Sequence, residues 1–145
     1  MNFDLLIIAG TFSILAAILH VGVVIGGPSW YRFFGAGESM AQLAEKGSLK
    51  PAFITLMIAT VLILWGFYAW SAAGLLPKMP LLKLALSTIT CIYLVRGIAG
   101  IIAPFVTKHP QVTQNSIAFW IWSSVICLLI GLFHLMGIVA IWPTL

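Results

Sequence analysis

Charged side chains are scarce in this sequence. Only 7% of its 145 residues are charged, against about 25% in an ordinary soluble domain, and its acids are Asp4, Glu38 and Glu45. So few ions exclude a soluble globular enzyme, and a hydrophobic content of 62% excludes a disordered chain. The net charge of +4 comes without a basic run that would grip phosphates, which excludes nucleic acid as a partner.

Cysteine is rare as well. Cys91 and Cys127 both lie in apolar stretches, with no Cys-x-x-Cys pair and no further ligand at metal spacing. We therefore predict no metal site and interpret both residues as small, buried hydrophobic side chains. The alternative is a disulfide, which requires the two thiols to face each other at one depth.

Long apolar runs are what the sequence has in abundance. A hydrocarbon core of about 30 Å needs about 20 apolar residues in a helix. Four stretches meet this requirement, at about 5–26, 52–76, 81–106 and 117–142. We predict an all-α integral membrane protein, with residues 1–145 forming one domain, a four-helix bundle in the lipid bilayer.

An even number of spans puts both ends of the described chain on one membrane surface, which we call the terminal side. The opposite surface, the loop side, holds residues 27–51 and 107–116. Four of the basic residues outside the membrane centre belong to the loop side and two to the terminal side. Because short cytoplasmic loops are enriched in Lys and Arg, this distribution favours a cytoplasmic loop side.

The loop at about 28–47 is unusually apolar. Pro28 suits the start of a short aromatic helix, Gly35 and Gly37 break it, and a second helix follows before Gly47. We predict an interfacial helical segment, since its aromatic side chains would be exposed in water. The alternative is a lid or re-entrant plug that carries Arg32 and Glu38 to a polar site. The candidate lid residues are Trp30, Tyr31 and Arg32.

Two motifs in the chain carry a resemblance. Residues 27–38 read Gly-Pro-Ser-Trp-Tyr-Arg-Phe-Phe-Gly-Ala-Gly-Glu, and residues 93–97 read Tyr-Leu-Val-Arg-Gly. The sequence resembles, over most of its length, a group of small, uncharacterised four-span proteins of bacterial inner membranes. The resemblance implies the four-span fold and a bacterial inner-membrane location, and it implies no activity.

Arg96 is the strongest indication of a functional site. It lies about nine residues, or about 13 Å, from the loop-side end of the third stretch. A charge at the membrane centre costs about 2.5–3.5 kcal/mol and is usually paired or faces water. Glu38 is the predicted partner if the 28–47 segment dips inward, and otherwise a bound anion or lipid headgroup takes this place. Snorkelling to the headgroups or a structural ion pair is the alternative.

His20 and His134 each stand alone on an apolar stretch. Each is either a structural side chain hydrogen-bonded across helices or a group that handles protons. A haem held between them requires similar depths, but their estimated depths differ by about 9 Å. We therefore predict no cofactor.

Helical periodicity places polar and small residues on inner faces of the spans. One face of the fourth span carries Trp120, Ser124, Cys127, Gly131 and His134, and one face of the third carries Tyr93, Arg96, Gly97 and Gly100. A small-residue stripe on the second span contains Thr55, Ala59, Gly66 and Ala73. These faces indicate either a polar site or ordinary packing of membrane helices. The residues expected to converge are Arg96, Tyr93, His20 and Ser124.

Three functions follow as alternatives. The first is a protein that binds or transports an anionic or amphiphilic small ligand at Arg96, coupled to protons through His20 or Glu38. Because four helices make a thin pathway, transport requires a homo-oligomer. The second is a structural or accessory subunit of a larger membrane complex. The third, an enzyme acting on a lipid, is least favoured, because no nucleophile–base spacing, metal pair or phosphate loop is present.

Overall fold

The computed structural model describes residues 2–145, with all of their side chains except those at 2, 3 and 111. Its α-helices are α1 (Asn2–Gly26), α2 (Pro28–Phe33), α3 (Glu38–Glu45), α4 (Lys50–Ala72), α5 (Leu82–Val106), α6 (Pro110–Thr113) and α7 (Ile117–Ile141), followed by a 3₁₀ turn at Trp142–Thr144. The helices α1, α4, α5 and α7 are long and apolar enough to cross a membrane. The predicted fold, four spans with a short helical segment after the first, is confirmed, and the chain is an integral membrane protein.

The second span ends earlier than predicted, at Ala72 rather than at residue 76. Gly74 adopts a left-handed conformation with φ of 80°, and Leu75 N–H donates to the Trp70 carbonyl at 2.9 Å. This is a common helix ending, because glycine tolerates positive φ without steric cost. Ser71 then accepts a bond from Met79 N–H at 3.0 Å and donates to the Pro77 carbonyl at 2.8 Å. Ser71 thereby holds the tight turn into α5.

The four spans pair as two hairpins. Helix α1 packs most extensively on α4, α5 on α7, and the hairpins meet mainly through α1 and α7, whereas α4 and α5 touch lightly. The closest approach in the first hairpin is at two glycines. A Cβ added at Gly10 would lie 2.9 Å from the Gly66 carbonyl oxygen, and one at Gly66 would lie 3.0 Å from the Gly10 carbonyl oxygen. Small residues thus let the two backbones touch, as is typical of membrane helices.

The core of the bundle is apolar and contains few polar side chains. One cluster in the terminal half includes Leu6, Ala69, Leu86 and Ile138, and a second near the middle is built around Tyr93. The predicted stripe on α4 faces this core: Thr55, Ala59 and Gly66 are buried, and Ala73 is partly buried. The outer faces of the spans carry large exposed apolar side chains, which suits contact with lipid tails.

The segment formed by α2 and α3, which we call the cap, covers the loop-side end of the bundle. Tyr31 is 2% exposed and packs with Val23 of α1 and Ala41 of α3. At the other edge, Asn115 Nδ2 donates to the Gly35 carbonyl at 3.1 Å. In contrast, Phe33 is 78% exposed, as expected for a side chain that enters the interfacial layer.

Candidate functional site

Arg96 lies on α5 in the loop-side half of the membrane span, about ten residues or about 15 Å from the end at Val106. Its guanidinium is partly buried between α5 and α7. Nη1 donates a long hydrogen bond of 3.5 Å to Ser124 Oγ, and the Trp120 ring centroid lies 5.2 Å from Cζ. No carboxylate of the described residues pairs with Arg96. Most of its five N–H donors are therefore open to a further partner.

Gly100, one turn after Arg96, makes the space for this guanidinium. A Cβ at Gly100 would overlap both Ser124 Oγ and Arg96 Nη1. Pro104 lies inside the same helix and has no N–H, so the Gly100 carbonyl lacks its usual donor four residues on. The site therefore combines a cation with a buried hydroxyl, next to a helix turn that lacks one of its usual backbone hydrogen bonds.

The predicted pairing of Glu38 with Arg96 is wrong, because Glu38 binds Arg32 instead. Arg32 Nε and Nη2 both donate to the Glu38 carboxylate at 2.8 Å, and Nη1 donates to Glu45 Oε1 at 2.8 Å. The positive φ values at Gly35 and Gly37 fold α3 back onto α2 and bring these three residues together. The ion pairs lie on the exposed surface of the cap, so the alternative in which the cap delivers Arg32 and Glu38 to an intramembrane site is also wrong.

The cap pairs are strong electrostatically but exposed to water. Hydrogen bonds and charge from Glu38 and Glu45 raise the pKa of Arg32, and the Arg32 guanidinium lowers the pKa of the Glu38 carboxyl below its usual value of 4.5. Both carboxylates on the loop side are thereby engaged by Arg32. Arg96, on the same side, is left without an acidic partner among the described residues.

A second polar cluster lies deeper, where α1, α5 and α7 meet. The Tyr93 hydroxyl and Ser13 Oγ are 2.9 Å apart, and Ser13 donates to the Ala9 carbonyl, so Tyr93 donates to Ser13. The Tyr93 ring also packs on the fully buried His134 ring, with centroids 5.4 Å apart. His134 Nδ1 donates to the Ile130 carbonyl at 3.0 Å, which leaves Nε2 buried with no hydrogen-bond partner among the described atoms.

Of the four residues predicted to converge, the described structure joins only Arg96 and Ser124 by a hydrogen bond. Arg96 contacts Ser124, while Tyr93 joins Ser13 and His134. His20 lies about six residues from the loop-side end of α1, and its Nδ1 donates to the Ala16 carbonyl of the same helix at 2.7 Å. In the part of the chain described by the structure, no hydrogen bond or ring contact joins His20 to Arg96 or Tyr93.

The two cysteines are both free. Cys127 is partly buried on the face of α7 that carries Ser124 and His134, as its spacing predicts. Cys91 is exposed on α5, so the prediction that it is a buried side chain is wrong. It lies two residues before Tyr93, which faces the core, and therefore on another side of the helix.

The candidate lid residues have different environments in the cap. Trp30 is 42% exposed and packs on Phe34, with ring centroids 5.5 Å apart. Tyr31 is buried, and its hydroxyl has no partner among the described atoms. Arg32 is exposed and paired. No hydrogen bond, ion pair or cation–π contact joins any of the three to Arg96 in the described structure, so the cap covers the end of the bundle without a polar link to its intramembrane arginine.

Sequence reasoning missed three partners that the structure reveals. Ser13 is the hydroxyl that Tyr93 binds, Trp120 covers Arg96, and Gly100 makes its space. Trp120 and Gly100 lie on the faces predicted to point inward, so periodicity already marked these two positions. Periodicity does not predict which helices are neighbours in the bundle, and the neighbours determine the partner of each inward-facing residue.

Comparisons with known proteins add no relative to this description. No protein-family model matches the chain, and neither a curated protein nor a solved structure matches it.

Proposed function

We propose that this membrane protein binds an anionic group, carried by a small or amphiphilic ligand, at the guanidinium of Arg96. The observation that carries the proposal is that Arg96 lies within a membrane span with one long hydrogen bond, to Ser124, and no carboxylate partner in the described chain. A cation at such a depth is costly unless it is neutralised, and a ligand anion supplies the missing charge.

The chemistry of arginine defines the ligand. A guanidinium presents parallel N–H donors that match a carboxylate, phosphate or sulfate in a bidentate arrangement. The Trp120 ring covers Arg96 and favours an amphiphile, because an apolar tail attached to the anion would contact aromatic and aliphatic surface. Ser124 Oγ supplies a hydroxyl beside the anion.

Access to the site is from the loop side. Trp120 Nε1 donates to the Val112 carbonyl at 3.0 Å, so the covering indole is fixed to the connection between α6 and α7. The neighbouring Phe119 ring lies directly against Gly35 of the cap. A small movement of the turn between α2 and α3, at Gly35 and Gly37, would release Phe119 and open this end of the bundle, as loops that gate ligand sites do.

Proton coupling through the residues named from the sequence has weak support. Glu38 is held by Arg32, and His20 bonds to its own helix. The proposed function is therefore anion binding at Arg96, and transport would be a further step that depends on assembly of several chains.

Calorimetric titration tests the proposal. The protein is placed in nanodiscs of phosphatidylcholine and titrated with inorganic phosphate and, separately, with dodecyl phosphate. Arg96→Gln should weaken binding roughly 10- to 150-fold, since a hydrogen bond to a charged group contributes about 1.5–3 kcal/mol. Arg96→Lys keeps the charge but loses the planar, bidentate donor geometry, so its affinity should lie between those of the wild-type protein and Arg96→Gln.

Arg32→Gln is the matched control, because it removes an arginine from the same membrane side and should leave binding unchanged. Binding of both probes identifies a small anion as sufficient, and binding of dodecyl phosphate alone identifies an amphiphile. Full binding by Arg96→Gln would contradict the proposal. Absence of binding by the wild-type protein, together with its purification as part of a larger complex, would favour the accessory role instead.

A further inference from the structure

A groove runs along the seam of α5 and α7, from Trp142 at the terminal side to Ile98, which lies at about the depth of Arg96. Its volume is about 500 Å³, and its walls include Ser87, Thr90, Ile98, Leu135, Val139 and Trp142. The hydroxyls in the wall are satisfied within their own helix: Ser87 donates to the Lys83 carbonyl and Thr90 to the Leu86 carbonyl, each at 2.8 Å. The groove therefore offers hydrocarbon-like walls to whatever occupies it.

Lys83 lies at the terminal-side mouth of this groove, and Lys78 lines a cavity together with Lys83. Lys83 Nζ lies 4.1 Å from the centroid of the Trp142 ring and donates to the Trp142 carbonyl at 3.3 Å. The cavity lined by both lysines has a volume of about 320 Å³ and ends at Leu145. No carboxylate of the described residues pairs with either lysine.

The length of the groove matches one leaflet of a bilayer. From Ser87 to Ile98 is about eleven residues, or about 16 Å along α5, against a hydrocarbon core of about 30 Å. Because Ser87 lies five residues, or about 8 Å, inside the terminal-side end of α5, the groove passes the middle of the span near Leu94 and ends at Ile98. An extended acyl chain of a single lipid has this placement.

We propose that the groove and its lysines bind one anionic phospholipid on the terminal side, with an acyl chain between α5 and α7 and the phosphate on Lys83 and Lys78. Charge favours this occupant over a second copy of the chain. The only acid near the terminal side is Asp4, so a second copy would bring lysines toward lysines with little compensating charge. The inference does not rest on the anion site at Arg96, which lies toward the other membrane side.

Native mass spectrometry measures the proposed binding. The protein in neutral detergent receives equal amounts of phosphatidylglycerol and phosphatidylcholine with identical acyl chains. We expect preferential retention of one phosphatidylglycerol. Lys83→Gln should reduce this preference about fivefold, the contribution of one basic residue near an anionic surface. Lys50→Gln, on the loop side, is the matched control and should not reduce it.

A second variant tests the groove without changing charge. Val139 is 65% exposed on the groove wall, so Val139→Phe fills the space while leaving the core intact. It should abolish retention of the lipid. Val61→Phe, at a position 40% exposed on the outer face of α4, is its control.

Several results would overturn the inference. Equal losses in Lys83→Gln and Lys50→Gln would show unspecific attraction, and full retention in Val139→Phe would show that the groove is not used. A dimer that dissociates in Val139→Phe, with lipid retention unchanged, would identify a second copy as the occupant. If Arg96→Gln lost the lipid, the lipid site would have to be reassigned to Arg96. If this variant retains the lipid, the groove and the anion site are separate.

Discussion

The two arginines on the loop-side half of the molecule have opposite environments. Arg32 lies on the exposed cap and makes three hydrogen bonds of 2.8 Å to two carboxylates. Arg96 lies within a span and makes one long bond to a hydroxyl. Ion pairs in water contribute little to stability, whereas an unpaired charge in a membrane is costly. The two loop-side carboxylates thus lie in water beside Arg32, and the lack of a carboxylate partner for Arg96 in the described chain is the observation behind the proposed anion site.

The largest effect is expected from a variant in which Arg96 has a carboxylate partner within the chain. Ser124 is fully buried and contacts Arg96, so Ser124→Asp should form an internal ion pair and abolish binding of dodecyl phosphate. Adding Arg96→Gln to this variant leaves a buried carboxylate alone and should cost about 3–5 kcal/mol of stability relative to Ser124→Asp. Unfolding in mixed detergent micelles measures the difference. Equal stability of the single and double variants would show that the two residues do not face each other.

A smaller effect is expected from filling the space beside Arg96. Gly100→Ala places a methyl group on Ser124 Oγ and Arg96 Nη1, so one of them must move. We expect a loss of about 1–3 kcal/mol of stability, typical of overpacking, and weaker anion binding. Gly22→Ala is the control, because its Cβ would meet only the Trp30 ring, at an ordinary 3.4 Å. If both variants unfold at the same detergent ratio, the close packing around Arg96 is not as described.

The indole that covers Arg96 should have a still smaller effect. Trp120→Leu removes a cation–π contact and the bond to the Val112 carbonyl. A cation–π contact contributes about 0.5–2 kcal/mol, so the unfolding midpoint should fall modestly. Trp122 is 70% exposed two residues away, and Trp122→Leu should leave the midpoint nearly unchanged. A larger loss in Trp122→Leu than in Trp120→Leu would refute the assignment of the inner face.

The smallest effect is a pH dependence confined to the cap. Arg32 lowers the pKa of Glu38 below 4.5, so the pair stabilises the cap at pH values above 4.5 and this contribution is lost as the pH falls through the lowered value. Amide hydrogen exchange, corrected for its intrinsic pH dependence, should show equal protection of residues 28–45 at pH 7 and pH 5 and lower protection near pH 3. Protection of α5 and α7 should not follow this change. Loss of cap protection already between pH 7 and pH 5 would argue against the Glu38 pair as its source.

The fold was largely predictable from the sequence because a bilayer constrains it. Four apolar runs of sufficient length specify four helices, and Gly35, Gly37 and Gly47 mark the ends of α2 and α3. The error at the end of α4 arose because Gly74 stops the helix while the apolar run continues to residue 76. Hydropathy indicates which residues are stable in the lipid bilayer, but it does not indicate where the helical hydrogen bonds end.

The site was only partly predictable, for a different physical reason. Periodicity identified the inner faces that contain Arg96, Ser124 and Tyr93, but it does not state which faces meet. Glu38 was assigned to Arg96 because both lie on the loop side. The competing Arg32 was closer once α3 folded back on α2, and that contact depends on two glycine conformations. Ser13 became the partner of Tyr93 because α1 lies beside α7 and α5.

The pairing of the spans has a consequence for biogenesis. Each strongly packed pair, α1 with α4 and α5 with α7, consists of spans that are consecutive in the chain, and α1 with α7 is the extensive contact between the pairs. The contact between α1 and α4, with its glycine crossing, can therefore form before α5 and α7 are synthesised. The contact between α5 and α7 needs no residue of the first hairpin, so the two hairpins can form separately and then dock, in agreement with a two-stage assembly of membrane helices. The seam between the hairpins, where Tyr93 of α5 binds Ser13 of α1, requires both hairpins to be in place.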